Sequence, residues 1–135
     1  MASTFPLEIV TPDKKFFEEE VEMLTVSGIE GELGILKNHI PLVTPLAIGK
    51  VRIKLKDGTS RTAAVAEGYL DVQKDKTTIV TDAAEWPDEI DVKRAELAKK
   101  RAEERIKQKQ DNVDYTRAEV ALKKAINRIQ ISKIR

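Results

Sequence analysis

The sequence predicts an α+β chain: an N-terminal antiparallel β-sandwich over residues 1–86, then a C-terminal antiparallel two-helix hairpin over residues 87–135. Two observations predict it. Composition breaks near residues 84–87, with every glycine and every proline except Pro87 before the break, and Ala, Lys, Arg, Glu and Gln dominant after it. The period of the apolar residues changes there too, from two to about 3.6.

The strands come first. Leu7 and Ile9, then Val21 and Met23, alternate with polar neighbours. Val51, Ile53 and Leu55 alternate with Arg52, Lys54 and Lys56, the pattern of a half-buried strand. Asp57-Gly58 follows, a pair that supplies positive backbone dihedrals for a tight hairpin, and the chain returns through residues 62–66. Leu70 and Val72 alternate again, Lys74-Asp75-Lys76 reads as a turn, and residues 77–81 as another strand. Short strands at even spacing suit a sandwich or barrel. Gly28, Gly31 and Gly34, with Pro41 and Pro45, mark residues 30–46 as an irregular loop of the kind that carries recognition.

The helices come second. Ala95, Ala98, Ala102 and Ile106 recur at helical spacing, as do Ala118, Leu122, Ala125 and Ile129. Asp111-Asn112 reads as the turn between them, Asp114 as a cap for the second helix, and Asp88 or Asp91 as a cap for the first. Small side chains let two helices approach closely. Their burial is worth far less than the roughly 1.5–3 kcal/mol of a buried leucine. The hairpin is therefore expected to be marginal, and a marginal element suits a switch.

The totals exclude several functions. The chain has 135 residues, 41% apolar and 35% charged, with 24 basic against 23 acidic residues and a net charge of +1. A dedicated nucleic-acid binder would carry a basic excess. Without cysteine there is no disulfide, thiolate metal site or cysteine nucleophile. His39 is the sole histidine, with no second ligand or nucleophile beside it. No nucleophile–base pair, cofactor motif or Gly-rich phosphate loop marks an enzyme. No apolar run is long enough to span a membrane, and MASTFPLEIV does not read as a secretory signal.

Residues 27–43, SGIEGELGILKNHIPLV, resemble the signature of the epsilon subunit of bacterial and chloroplast ATP synthases, a G-E-x-G-I-L stretch followed by H-x-P-L. Leu7 to Pro12 resembles the first strand of that family. EGYLDV at residues 67–72 resembles a later strand, with Glu67 where glycine is common. AEVALKKAINR at residues 118–128 resembles its second helix. The matches run in order along nearly the whole chain.

The resemblance implies a non-catalytic rotor subunit whose sandwich binds the gamma subunit and rests on the c-ring. On that reading Glu30, Gly31, Glu32, Lys37, His39 and Pro41 contact the ring or gamma, while Leu33 and Ile35 share packing duty. It implies a hairpin that either folds or extends into the catalytic head and inhibits ATP hydrolysis. It also implies a proton-translocating complex, with the chain peripheral on the cytoplasmic face of the bacterial plasma membrane and attached to the membrane only through that complex.

Two basic clusters complete the reading. Ile90, Asp91, Arg94 and Ala95 match the I/L-D-x-x-R-A motif of epsilon subunits that bind ATP. Arg94 shares a helix face with Asp91, and Arg101 lies two turns on; Lys124 and Arg128 share a face of the second helix. If the hairpin closes with these faces together, up to four cations converge, and they call for an anion such as a triphosphate. Glu85 resembles a position that touches the base. Lys124 stands where arginine is common, and it lacks the bidentate fork. ATP would then be a regulatory ligand, with no cofactor. Charge spacing alone describes a solvated face of loose ion pairs better than a pocket. The second cluster, Lys123, Lys124, Arg128, Lys133 and Arg135, reads as a docking surface for the catalytic beta (and alpha) subunits or as cations suited to a helix C-terminus. A free-standing ATP-binding module and a coiled-coil adaptor remain rival readings.

Overall fold

Val51 and Ile53, the clearest alternating pair, are fully buried at the end of β4 (Leu42–Leu55). The computed structural model describes residues 3–108 and 112–134. The other strands are β1 (Phe5–Val10), β2 (Lys15–Gly28), β3 (Gly31–Leu36), β5 (Ser60–Val65), β6 (Gly68–Val72), β7 (Thr77–Thr81) and the short β8 (Ala84–Glu85). A 3-10 turn (Pro87–Glu89), helix α1 (Val92–Gln108) and helix α2 (Asn112–Ser132) follow. Contacts divide the chain into Met1–Glu85 and Trp86–Arg135.

The first unit is a sandwich whose layers share two long strands. The N-terminal part of β2 pairs with β1, and its C-terminal part runs between β3 and β4. Likewise β4 pairs first with β6, through Leu42–Leu46, and then with β2 and β5. Strands that change sheets bend at irregular pairs. The register of β2 on β4 shifts between Val21 and Met23 and again between Val26 and Gly28. Leu7, Ile9, Leu24, Val26, Leu70, Val72 and Ile79 fill the interior with Val51 and Ile53. Each aliphatic of that size is worth roughly 1.5–3 kcal/mol on burial.

Three local expectations are corrected. Residues 30–46 are not an irregular loop. β3 and the start of β4 occupy most of that stretch, because Gly28 and Gly31 close a two-residue hairpin around Ile29-Glu30, with Gly31 at φ 132°. Pro45 sits in β4 where its one neighbour is β6, so its missing N–H breaks no ladder. At Asp57-Gly58 only the glycine takes a positive φ, 89°. Asp57 Oδ1 instead accepts the Thr59 N–H at 2.9 Å and the Thr59 hydroxyl at 2.6 Å, a side-chain turn that needs no strained aspartate.

The third correction concerns direction. β1 and β7 pair in parallel, from Leu7↔Thr77 to Val10↔Val80, within an otherwise antiparallel sandwich. Antiparallel alternation is a hairpin signal, whereas these strands are far apart in the chain and any direction is open to them. Glu8 ties β1 to both neighbours: its carboxylate lies 3.1 Å from Lys15 Nζ and 3.4 Å from Lys76 Nζ. The Lys15 hydrogen bond is the largest of the effects that hold its pKa below the usual glutamate value.

The second unit is the hairpin. Ala95 and Ala102 on α1, and Ala118 and Ala125 on α2, are buried. Ala95 and Ala125 are equally far from the connection, as are Ala102 and Ala118, so antiparallel packing sets them level across a seam. Ile90 and Ile131 add larger buried groups. Of the two candidate caps for α1, Asp91 holds the position; Asp88 lies in the 3-10 turn. α2 begins at Asn112, ahead of Asp114, so the proposed cap falls inside the helix; Asp111 lies outside the described residues. α2 ends at Ser132 with no basic residue in its last turn. Lys133 follows the helix instead of closing it, and Arg135 lies outside the described residues.

Candidate functional site

The contact residues expected on the sandwich fall into two groups at opposite ends of β3. Glu30, Gly31 and Glu32 are exposed at the tip of the β2–β3 hairpin. Lys37 follows the other end, after six residues of strand at about 3.3 Å each, roughly 20 Å away. β3 is held between them because Ile35 is buried and Leu33 half-buried against the interior, while Glu32, Gly34 and Leu36 face out.

The hairpin tip borders a cleft of about 430 Å³ lined by Gly28 to Leu33 with Leu42 and Thr44. It joins the acidic Glu30 and Glu32 to apolar wall. Ile29, at the turn, is 66% exposed. The far end borders a second cleft of about 390 Å³, formed by Leu36 to Pro41, the Val72–Thr77 turn and the start of β1. Lys37, His39, Lys74 and Lys76 give it basic character beside Asp75. Asn38 holds a left-handed φ of 68°, and the His39 N–H closes the turn on the Leu36 carbonyl at 3.1 Å. The His39 Nδ1 lies 2.7 Å from the Ile40 carbonyl oxygen. A carbonyl only accepts, so this contact places the donor at Nδ1.

Sequence reasoning missed Lys74 and Thr44 as cleft residues and gave no role to exposed Ile29. Long-range pairing of β2 with β4, through Gly28↔Leu46, brings Thr44 to the hairpin cleft. Ile29 carried a weak signal: isoleucine in a two-residue turn has no core to enter.

The second group of expected residues lies on the helical unit. Ile90 and Ala95 are buried, and Asp91, Arg94 and Arg101 are exposed on or just before α1. Lys124 and Arg128 are half-buried on α2. Arg94 and Arg101 each directly precede a seam alanine, as Lys124 precedes Ala125. In an antiparallel pair that offset turns all of them, with Arg128, to the same flank of the seam. Arg94 is also level with the stretch between Lys124 and Arg128. Glu85 belongs to the other unit, at the end of β8, where it pairs with Ala64. Lys123 and Lys133 are exposed. Among the described residues no group of three or more acidic or histidine side chains is placed to hold a metal ion.

Residues 4–87 match the family model described as ATP synthase, Delta/Epsilon chain, beta-sandwich domain, and residues 88–133 match that of its long alpha-helix domain. The chain belongs to the ATP synthase delta/epsilon family. Among its relatives, the ATP synthase epsilon chain of Alkaliphilus oremlandii is 59% identical over 106 residues, 78% of each chain. That of Halalkalibacterium halodurans is 50% identical over 105 residues, again 78% of each chain. Two solved structures share the fold. A chain of the Euglena gracilis mitochondrial ATP synthase, determined as an OSCP/F1/c-ring assembly, superposes with a TM-score of 0.82 at 24% identity, over 94% of this chain and 80% of that one. A chain of the Tetrahymena thermophila central stalk/c-ring structure gives 0.66 at 12% identity, over 98% of both. As a delta/epsilon chain the protein is a subunit of an ATP synthase. No described helix of this delta/epsilon chain is long and apolar enough to cross a membrane.

Proposed function

We propose that this chain is the epsilon subunit of the central stalk of a proton-translocating ATP synthase. It joins gamma to the c-ring through the two ends of β3 and restrains ATP hydrolysis through the helical hairpin. The subunit does no chemistry itself. Its relatives are bacterial epsilon chains, and the fold recurs in central-stalk and c-ring assemblies. By that analogy it sits on the cytoplasmic face of the bacterial plasma membrane, held there by the complex.

ATP is proposed as a regulatory ligand of the hairpin. The observation that carries this is the common flank of Arg94, Arg101, Lys124 and Arg128 beside a seam made of alanine. A bound triphosphate is attracted to cations gathered on one flank, and so favours the folded hairpin that gathers them. The folded state then permits rotation in both directions. The extended state, favoured when ATP is scarce, carries Lys123, Lys133 and Arg135 toward the beta and alpha subunits and blocks hydrolysis. ATP shifts the balance only by its differential affinity for the two states. Asp91 is proposed to orient the base.

Calorimetric titration of ATP into the purified chain tests the ligand, beside an Arg94→Ala, Arg128→Ala variant. Saturable binding that the variant loses supports the ATP-gated brake. Absence of binding at millimolar ATP removes the gate and leaves a coupling subunit whose flank cations are surface charge.

A further inference from the structure

β3 is an open edge. Among the described residues it pairs with β2 alone, at one end of the strand order. The two-residue connection makes Gly28↔Gly31 a hydrogen-bonded pair, and such pairs alternate along an antiparallel ladder. Leu33 and Ile35 therefore turn their backbone groups to β2. Glu32 and Gly34 turn both their N–H and C=O groups outward, to no neighbouring strand; Leu36 turns its N–H outward, while its carbonyl accepts the His39 N–H.

Edges of this kind are normally blunted by proline, inward charge, a bulge or a cover. β3 contains no proline or lysine, and its register with β2 is regular from Gly31 to Leu36. β8, at the other end of the strand order, is only two residues long. The exposed edge also joins the two clefts. Acidic Glu30 and Glu32 lie at one end, Lys37 at the other, and Leu36 between them is 56% exposed.

We propose that β3 is a strand-addition site, taking an extended segment of a non-identical partner subunit onto the outward groups of Glu32, Gly34 and Leu36. The segment carries a basic side chain beside Glu32, an acidic one beside Lys37 and an apolar one over Leu36. Main-chain pairing supplies attachment and the end charges set register and direction. The proposal deepens the reading that both ends of β3 contact rotor partners, and it rests on that reading. Continuity of the edge with those two contact regions is what favours a partner over a second copy of the chain.

Amide hydrogen exchange of the full chain, free and in the assembled ATP synthase, tests it. The amides of Glu32, Gly34 and Leu36 are expected to exchange fast in the free chain and to slow by roughly 100-fold or more on assembly. Those of Leu33 and Ile35, already bonded to β2, change little. Gly34→Pro deletes one outward N–H at an edge position where proline is tolerated, and it should weaken assembly by about tenfold relative to Gly34→Ala. Assembly that leaves the three amides fast overturns the pairing, while the contact reading survives if a Glu30→Gln, Lys37→Gln chain still assembles poorly. Normal assembly of that chain removes the contact reading and the pairing with it. Protection that appears in the free chain and grows with its concentration identifies a second copy as the occupant and also overturns the proposal.

Discussion

Asp91 Oδ1 accepts the backbone N–H of Arg94 at 3.1 Å, so the carboxylate proposed to orient a nucleotide also caps the helix that carries two of the proposed phosphate cations. The Asp91 carbonyl takes the next donor, the Ala95 N–H, at 3.0 Å. Loss of ATP binding in an alanine variant would therefore mix two causes. Asparagine caps about as well as aspartate, whereas alanine costs about 1 kcal/mol. Asp91→Asn should keep the helical melting transition of the native chain, and Asp91→Ala should lower it. If Asp91 binds nucleotide by its charge, both variants lose ATP affinity in calorimetry. If it acts only as a cap, Asp91→Asn binds ATP normally.

The seam alanines set the stability of the folded hairpin. Ala118 is 1% exposed, and a leucine there has no room without parting the helices. Overpacking of this kind costs about 1–3 kcal/mol. Ala118→Leu should melt the hairpin earlier by circular dichroism while the sandwich holds. In the assembled enzyme it should deepen inhibition of ATP hydrolysis at saturating ATP, because the folded state is the one weakened.

Gly68 and Thr81 hold the sandwich where β6 meets β7. A Cβ on Gly68 would collide with the Val80 carbonyl oxygen, which is backbone and has little freedom to retreat. The Thr81 hydroxyl, buried, lies 3.1 Å from the Ala66 carbonyl oxygen and 3.2 Å from that of Ala83. The hydroxyl has one proton to give, so Thr81→Val leaves one buried carbonyl short of a donor and should cost about 1–3 kcal/mol in denaturant unfolding. Gly68→Ala should cost more and reduce soluble yield.

Asp57 gives the sandwich a specific acid sensitivity. The Thr59 hydroxyl, and then the Thr59 N–H, hold its carboxyl below the ordinary value of 3.8. A depressed folded-state value means that the ionised group favours the native state above that ordinary value. The gain is lost as pH falls through the depressed one. The stability gap between the native chain and Asp57→Ala, measured by urea unfolding, should be constant near neutral pH and narrow at roughly pH 2–4.

Much of the molecule was legible because its signals are local. Alternation at Val51, Ile53 and Leu55, and the alanine repeats at 95/102 and 118/125, each report burial of one face within a short stretch. What failed was non-local or ambiguous. Glycine marks loops and tight hairpins alike, so residues 30–46 read as irregular until β2 and β4 flanked them. The parallel β1–β7 pair left no trace in either strand, since side-chain alternation is the same in both directions. Cap choice turned on φ and hydrogen bonding that Asp88 and Asp91 offer equally on paper.

The amino-acid order by itself determined the two-part architecture, the alanine seam and the family, because propensity, period and motif are carried by neighbouring residues. Tertiary structure alone decided that the expected recognition segment is a strand, with the proposed contact residues at both ends. It decided equally that β3 stands open at the sheet edge. Those are relations between segments far apart in the chain, and they exist only once burial of Val26, Val51, Leu70 and Ile79 has brought the strands together and the seam has closed.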